Sequence, residues 1–392
     1  MISVSRLLCE AIGPGDHLRY RKPDGAPLRP IVVWNCTQRC NLHCIHCYAQ
    51  ASAQGCSGEF DTKQAKAFIH DLADFKVPVI LFSGGEPLLR EDIFELAGFA
   101  REKGLRTVIS TNGTLITEKV AIQLAQLGLA EVGISLDGSE PTNDRFRGQS
   151  GAYQAALRGF RNCKSQGLRV SLRLTITRFN YQDIPAIFDL VEQENIDRAC
   201  FYHLAYVGRA GSLGMDSDLS HQQKRAVLDL ICQHTLELYR RGLSKEILTV
   251  DNHADGIYIY LKLKKDDPER AARALELLRS NGGNGAGISI AAIDNLGNVH
   301  PDQFWWHYSL GNVLQRKFSD IWMDTSDPLL ARLKERKGLL KGRCARCHYF
   351  DLCRGNLRVR AEAVFGDVWA EDPACYLSDQ EIGLLEPVKE AC

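Results

Sequence analysis

From residue 31 to about residue 206, short apolar runs alternate with segments whose apolar residues recur at helical spacing, and this alternation constrains the fold more than anything else in the chain. The apolar runs 31–34, 78–82, 107–110, 131–136, 170–176 and 199–206 predict strands. The stretches 62–75, 91–103, 118–127, 152–166 and 183–194 between them predict helices. Continuous apolar strands joined through helices form parallel sheet with both faces covered. Six such units predict an α/β fold, an open partial (β/α)6 barrel, with the site in the loops that follow the strands.

After Gly214 the pattern changes. Residues 219–242 and 268–279 predict helices, residues 280–285 a glycine-rich loop, and residues 288–300 two strands joined by a tight turn. The chain therefore divides into an N-terminal extension (1–30), the barrel (31–215), a helical connecting region (216–285) and a cysteine-bearing module (286–392).

Charge narrows the partners. The 48 basic and 48 acidic residues leave a formal net charge of zero, so nothing marks the chain for nucleic acid or an anionic membrane surface. No apolar run approaches the roughly 18 residues of a membrane span, and residues 1–13 lack the apolar core of a signal peptide. The expectation is a cytoplasmic protein, and 14 cysteines in such a chain point to metal binding ahead of disulfides.

Three of those cysteines share one loop. Cys40, Cys44 and Cys47, spaced C-x3-C-x2-C and followed by Tyr48, come just after the first apolar strand. Three thiolates suit three corners of a four-iron, four-sulfur cubane and leave one iron open, whereas an electron-transfer cluster has all four irons held by cysteine. Structural zinc would use C-x2-C pairs with a fourth ligand nearby. The loop, with Arg39, Asn41 and Tyr48 around it, resembles the signature of the radical S-adenosylmethionine (SAM) enzymes. That resemblance implies that the open iron chelates SAM, that reduction yields a 5'-deoxyadenosyl radical, and that the enzyme is oxygen-sensitive and takes electrons from a reduced flavodoxin or ferredoxin-type donor.

Further residues take SAM roles only through this resemblance. Gly84, Gly85 and Glu86 match the family's motif for the methionyl amino group, with Glu86 as acceptor. Ser110 and Asn112 end the third strand, and Ser135 and Asp137 end the fourth, near the ribose and methionyl end. Caps and turns would use the same residue types. Arg173, inside the apolar fifth strand, is either half of a buried ion pair or a partner for the SAM carboxylate.

Cys344, Cys347, Cys353 and Cys375 supply four more thiolates, enough to close a second cluster or to bind tetrahedral zinc. The segment resembles the SPASM extension of radical SAM enzymes, which implies iron. It departs from the full pattern, with Leu357 where a further cysteine is expected and Val299-His300-Pro301-Asp302 where a second cluster would find its ligand. One auxiliary cluster is therefore expected, making two [4Fe-4S] clusters in all. Cys9, Cys36, Cys56, Cys163, Cys200, Cys232 and Cys392 lack ligand spacing and read as small apolar or surface thiols.

Outside the cluster motifs, residues 249–256, 282–287, 299–313 and 354–360 resemble the haem-modifying branch of the family. The resemblance implies an iron-containing tetrapyrrole substrate, 12,18-didecarboxysiroheme, converted to Fe-coproporphyrin III by loss of two acetate side chains. Action on the propionates of the same substrate, towards haem d1, is the alternative. A two-cluster electron carrier or scaffold without SAM chemistry is the reading from another class. A flat polycarboxylate macrocycle calls for aromatic faces, forked arginines and an imidazole for iron. His300, Trp305, Trp306 and His307, in one loop with Phe304 and Tyr308, are the candidates, with Arg358 and Arg360, and also Arg147 and Arg209, for carboxylates. Packing between domains would use the same aromatic loop, and surface charge the same arginines.

Overall fold

A computed structural model of the chain describes residues 1–20, 29–213 and 215–385; Cys392 lies outside them. Ten strands form one sheet: β1 (Ile2–Ser3), β2 (Ile31–Asn35), β3 (Val79–Ser83), β4 (Arg106–Thr111), β5 (Glu131–Ser135), β6 (Val170–Ile176), β7 (Arg198–His203), β8 (Glu246–Val250), β9 (Ile290–Ile293) and β10 (Val299–His300). Their order is β1-β8-β7-β6-β5-β4-β3-β2-β9-β10. All pairs from β8 across to β9 are parallel, and the short edges β1 and β10 are antiparallel.

The six expected strands are present as β2 to β7. Three differences extend the sheet. β8 lies within the connecting region expected to be helical, between the helices His221–Arg240 and Ala254–Asp266. β1 comes from the N-terminal extension and pairs with β8, Ile2 opposite Thr249. The expected hairpin forms as β9 and β10, but β9 also pairs with β2, Ile31 opposite Ile290, so the C-terminal module shares the barrel's sheet.

Strand periodicity separates the two faces. On β6, Leu172, Leu174 and Ile176 are buried in the main hydrophobic core, whereas Arg173 and Thr175 line a central cavity. Residues from the ends of β3 to β8 and from the loop after β2 line that one cavity, so the sheet curves round it. On the outer side of β2, Trp34 is fully buried against Phe60, Phe68 and Phe82. The helix Thr62–Asp74 starts cleanly there, with Asp61 and Gln64 forming a reciprocal capping box.

The opposite end of the barrel, where the strands begin, is closed by charge. Glu131 opens β5 and meets Arg198 at 2.5 Å, and Glu246 opens β8 and meets Arg169 at 2.8 Å, Arg198 at 2.7 Å and Arg19 at 3.1 Å. Both glutamates are buried. Burial alone would raise the Glu246 carboxyl, but Arg198, Arg19 and Arg169 hold it below its ordinary value. Alternating charges in contact satisfy one another where a single buried charge would not.

Candidate active site

The cysteine loop is held by backbone on three sides. The amides of Gly85 and Glu86 donate to the carbonyls of Thr37 and Arg39 at 2.7 and 2.8 Å. The amides of His43 and Ile45 donate to Arg147 and Phe146 at 3.2 and 3.0 Å, and the amide of Arg209 donates to Cys47 at 3.0 Å. Arg209 adds two side-chain bonds, to the carbonyls of Cys44 (2.7 Å) and Ala51 (2.9 Å). It braces the loop and also lines the cavity.

Cys40, Cys44 and Cys47 all line the cavity. N–H donors approach two of the sulfurs: Leu42 N (3.4 Å) and Asn112 Nδ2 (4.0 Å) at Cys40, and Arg147 Nη1 (3.6 Å) at Cys44. Burial pushes the Cys40 thiol up to about 12 and the Cys44 thiol upward, with Arg147 opposing the second shift. A bound cation would reverse this, since coordination deprotonates a thiol outright. Three cavity-lining thiols, two of them approached by N–H donors, fit a cluster that has one corner free. Cys36 stays apart: it is fully buried and its thiol donates to the Ser83 carbonyl at 3.3 Å.

Gly84 and Gly85 serve the loop by their missing side chains. A Cβ on Gly84, which sits at φ +137°, would lie 2.3 Å from the Thr37 carbonyl oxygen, and one on Gly85 2.3 Å from that of Arg39. Glu86, expected to face the ligand, is fully buried and accepts from Thr111 Oγ1 (2.7 Å), Asn112 N (2.8 Å) and Leu88 N (3.1 Å). It ties the end of β3 to the end of β4 and does not line the cavity. Ser110 and Asn112 do line it, and Asn112 Nδ2 donates to Asn41 Oδ1 at 2.8 Å, joining the cysteine loop.

Asp137 and Arg147 form a buried ion pair on the cavity wall at 2.5 Å, with His46 Nε2 3.2 Å from the same oxygen. The other carboxylate oxygen accepts from Thr175 N at 2.9 Å. Burial would raise the Asp137 carboxyl, but Arg147 and His46 hold it at about 2. Ser135 and Arg173 line the same wall and are opposite each other in the β5–β6 register. Arg173 approaches Glu131 only to 4.0 Å, while its Nε is buried without a partner. Its guanidinium lies so close over β5 that a Cβ at Gly133 would come within 2.3 Å of Nε. Tyr48 donates to Asn35 Oδ1 at 2.9 Å and meets Phe304 edge to face at 5.6 Å.

The aromatic loop divides. Phe304 lines both the cavity and an adjoining outer cleft that Tyr48, Tyr206, Trp306, His307 and Glu362 also line. His307 Nε2 is 2.9 Å from Glu362. Four candidates from sequence fall elsewhere. His300 is buried, its Nδ1 2.8 Å from the Tyr308 carbonyl and its Nε2 3.4 Å from Asp294. Trp305 is buried in a cluster with Leu357, Val359 and Ala205. Arg358 is buried, with Nη1 and Nη2 donating to the carbonyls of Gly355, Val368 and Ala370. Arg360 binds both oxygens of Asp372 at 2.8 Å and the carbonyls of Leu204 (2.9 Å) and Asp251 (3.0 Å). Motif resemblance located the segments, but it does not tell which way an alternating or helical side chain turns.

Cys344, Cys347, Cys353 and Cys375 line a second, small cavity together with Ala254, Ile257, Phe350 and Leu377. Burial pushes the Cys353 thiol well up, and the other three thiols add to the shift. The glycine-rich loop packs directly on this group: Gly283, at φ +77°, would place a Cβ 2.6 Å from the Cys353 carbonyl carbon. Among the described residues no three Cys, His, Asp or Glu side chains gather tightly enough to share a single metal ion.

Fold and loop together define a class. Residues 34–191 match the model of the radical SAM superfamily, and the chain belongs to that superfamily, whose members use SAM and a [4Fe-4S] cluster. Over 98% of its length it is 55% identical to the whole of a Methanosarcina barkeri protein named Fe-coproporphyrin III synthase. It is 43% identical to a pre-heme d1 synthase of Dinoroseobacter shibae, covering 92% of this chain and 89% of that one. The crystal structure of Streptococcus suis SuiB bound to S-adenosylmethionine shares the fold, with a TM-score of 0.71 at 18% identity over 89% of this chain and 78% of that one.

Proposed function

We propose that the chain converts 12,18-didecarboxysiroheme to Fe-coproporphyrin III by removing two acetate side chains. The observation that carries this reading is 55% identity along the entire length of a protein of that name. The geometry is compatible with it: the cavity beneath the cysteine loop shares Tyr48 and Phe304 with a cleft lined by Trp306, Tyr206 and His307. A flat macrocycle lying in the cleft would present one edge to the cavity, against aromatic faces.

In this reading Cys40, Cys44 and Cys47 hold the SAM-cleaving cluster, and Cys344, Cys347, Cys353 and Cys375 hold one auxiliary [4Fe-4S] cluster. Support for iron over zinc at the second site comes from the likeness of the segment to the SPASM extension, with four thiols lining one cavity as the ligands. Leu357, at the position of a missing further cysteine, packs in an apolar cluster away from those thiols. When bound, the first cluster and SAM supply reductive carbon–sulfur cleavage and a hydrogen-abstracting radical. Arg173 would hold the SAM carboxylate, Ser135 and the Asp137–Arg147 pair would line the cofactor's side, and Tyr48 and Phe304 line both the cavity and the cleft. The surrounding wall excludes water from the radical. Electrons come from a reduced flavodoxin or ferredoxin-type donor.

Anaerobic incubation with 12,18-didecarboxysiroheme, SAM and reductant tests the proposal by product mass. Fe-coproporphyrin III, with two SAM consumed per product, is the expected result. The 43% relative favours a second reading, action on propionates; retained acetates with altered propionates would establish that one. Absence of reductive SAM cleavage by the iron-loaded protein would sink both and leave a simple electron carrier.

A further inference from the structure

Tyr202 of β7 sits on the cavity side of the sheet. In the register it is opposite Thr175 of β6 and Val250 of β8, and it lines the cavity, as do Thr175 and Arg173. Its ring packs on Cys200, Leu248 and Val250. Among the described residues its hydroxyl has no hydrogen-bond partner. Other tyrosines around the site are engaged: Tyr48 donates to Asn35 Oδ1 at 2.9 Å, Tyr206 to Asp218 at 2.6 Å and Tyr376 to Asp255 at 2.7 Å. The charged groups that act on the Tyr202 phenol are Arg173, Glu131 of β5 and Asp251, which directly follows β8 and also lines the cavity. Burial pushes the phenol upward from its ordinary value, so the oxygen keeps its hydrogen. Buried hydroxyls are nearly always paired, and one left free on a cavity wall is available to what enters.

Removing an acetate side chain by radical chemistry needs a hydrogen atom at the end as well as at the start. Once a hydrogen atom is taken from the neighbouring ring carbon, the bond to the side chain can break evenly. One of its electrons completes a ring double bond, and the other leaves with the fragment ·CH2–COO−. That fragment becomes acetate by gaining a hydrogen atom. With SAM consumed in each round, the hydrogen first taken departs in 5'-deoxyadenosine, so the second comes from elsewhere. A carbon radical takes hydrogen readily from a phenol or a thiol, where the electron left behind is spread over the ring or held on sulfur. It takes hydrogen poorly from an aliphatic alcohol. Of the described groups lining the cavity, the three thiols serve the cluster and the Tyr48 hydroxyl is held by Asn35. Tyr202 remains. We propose that the Tyr202 phenol donates this hydrogen atom to the departing fragment; this rests on the acetate-removal reading above. The O–H bond breaks as the new C–H bond forms, leaving acetate and a neutral tyrosyl radical. One electron from the flavodoxin or ferredoxin-type donor and one proton from solvent restore the phenol.

The test is anaerobic turnover of the iron-loaded protein with 12,18-didecarboxysiroheme, SAM and reductant in deuterated water, with mass analysis of the released acetate. A phenol exchanges with solvent, so the wild type should release acetate carrying a single deuterium in its methyl group. Acetate without deuterium overturns the proposal and needs no variant. Tyr202→Phe keeps the ring and its packing but lacks the O–H, so the acetate formed per 5'-deoxyadenosine should drop steeply; an unchanged ratio overturns the proposal. Freeze-quenched samples give a readout independent of yield. The radical signal in electron paramagnetic resonance should narrow on ring-deuterated tyrosine and vanish in the variant. A narrowed signal that persists in Tyr202→Phe places the radical on another tyrosine and overturns the proposal. SAM cleavage with no acetate released overturns the proposal and the substrate reading together, whereas undeuterated acetate removes the role of Tyr202 alone.

Discussion

Charged residues in this protein are set by what they touch, and residue type foretold little of it. Arg360 and Arg147 are both arginines in motif-like segments. Yet one is fully buried between Asp372 and two backbone carbonyls, and the other lines the cavity and reaches a cluster-loop thiol. The thiol spacing was legible because a cluster demands it, and all seven predicted ligands line the two cavities. Asp251 and Asp302 were not, because an isolated aspartate after a strand carries no pattern. Asp302 gives a direct test at this scale. In the folded chain it holds its proton up to about pH 7, against 3.8 ordinarily. Between those values the native state binds more protons than the unfolded one, so this residue makes stability fall as pH rises and leaves the full cost above pH 7. At roughly 1.4 kcal/mol per pH unit the ceiling is about 4 kcal/mol. Asp302→Asn, whose oxygen still accepts from Phe304 N, should therefore raise the melting temperature at pH 8 more than at pH 5.5. Equal changes at both pH values would show that the carboxyl is ionised in the native state at both.

Among the elements, β3 to β7 were readable because each is an apolar run between two segments of helical period, and β2 because it is the apolar run just ahead of the cysteine loop. β8 escaped because Glu246–Val250 lies in the region after Gly214, where the strand–helix alternation breaks off. Its Glu246 is explained only by Arg19, Arg169 and Arg198, all distant in sequence. The loop after β3 shows the opposite case, where a motif was recognised but its task was different. Gly84 and Gly85 were assigned to cofactor approach, whereas their lost Cβ atoms make room for the backbone of the cysteine loop. Gly85→Ala should therefore act through the cluster. Its Cβ displaces a carbonyl 2.3 Å away, so the loop should detach and the purified protein should lose roughly half its iron, that of the three-cysteine site, while the four-cysteine site stays loaded. Iron analysis with electron paramagnetic resonance reads this; full iron content with normal SAM cleavage would refute the packing argument.

For the molecule as a whole, the sequence divides at residue 285 but the sheet does not. β9 extends the barrel's sheet at β2, and Arg360 joins the ends of β7 and β8 to Asp372, three residues before Cys375. A chain cut after residue 285 should lose the cover of β2 and the Phe304 side of the cavity together. It would then present a bare strand edge and accumulate as aggregate. Recovery of a soluble truncated barrel that cleaves SAM would show that the two parts are independent. The charged plug of Glu131, Glu246 and their arginines has a kinetic consequence of its own. With the strand-start end sealed, traffic on the proposed reading would pass the aromatic cleft, so that SAM, held in the inner cavity, would enter first and its fragments would leave last. Removing two side chains from one macrocycle then requires the half-finished tetrapyrrole to step out, or tilt aside, between rounds. A singly deacetylated intermediate should therefore appear free in solution during turnover, and a chase of unlabelled substrate should dilute the label in the final product.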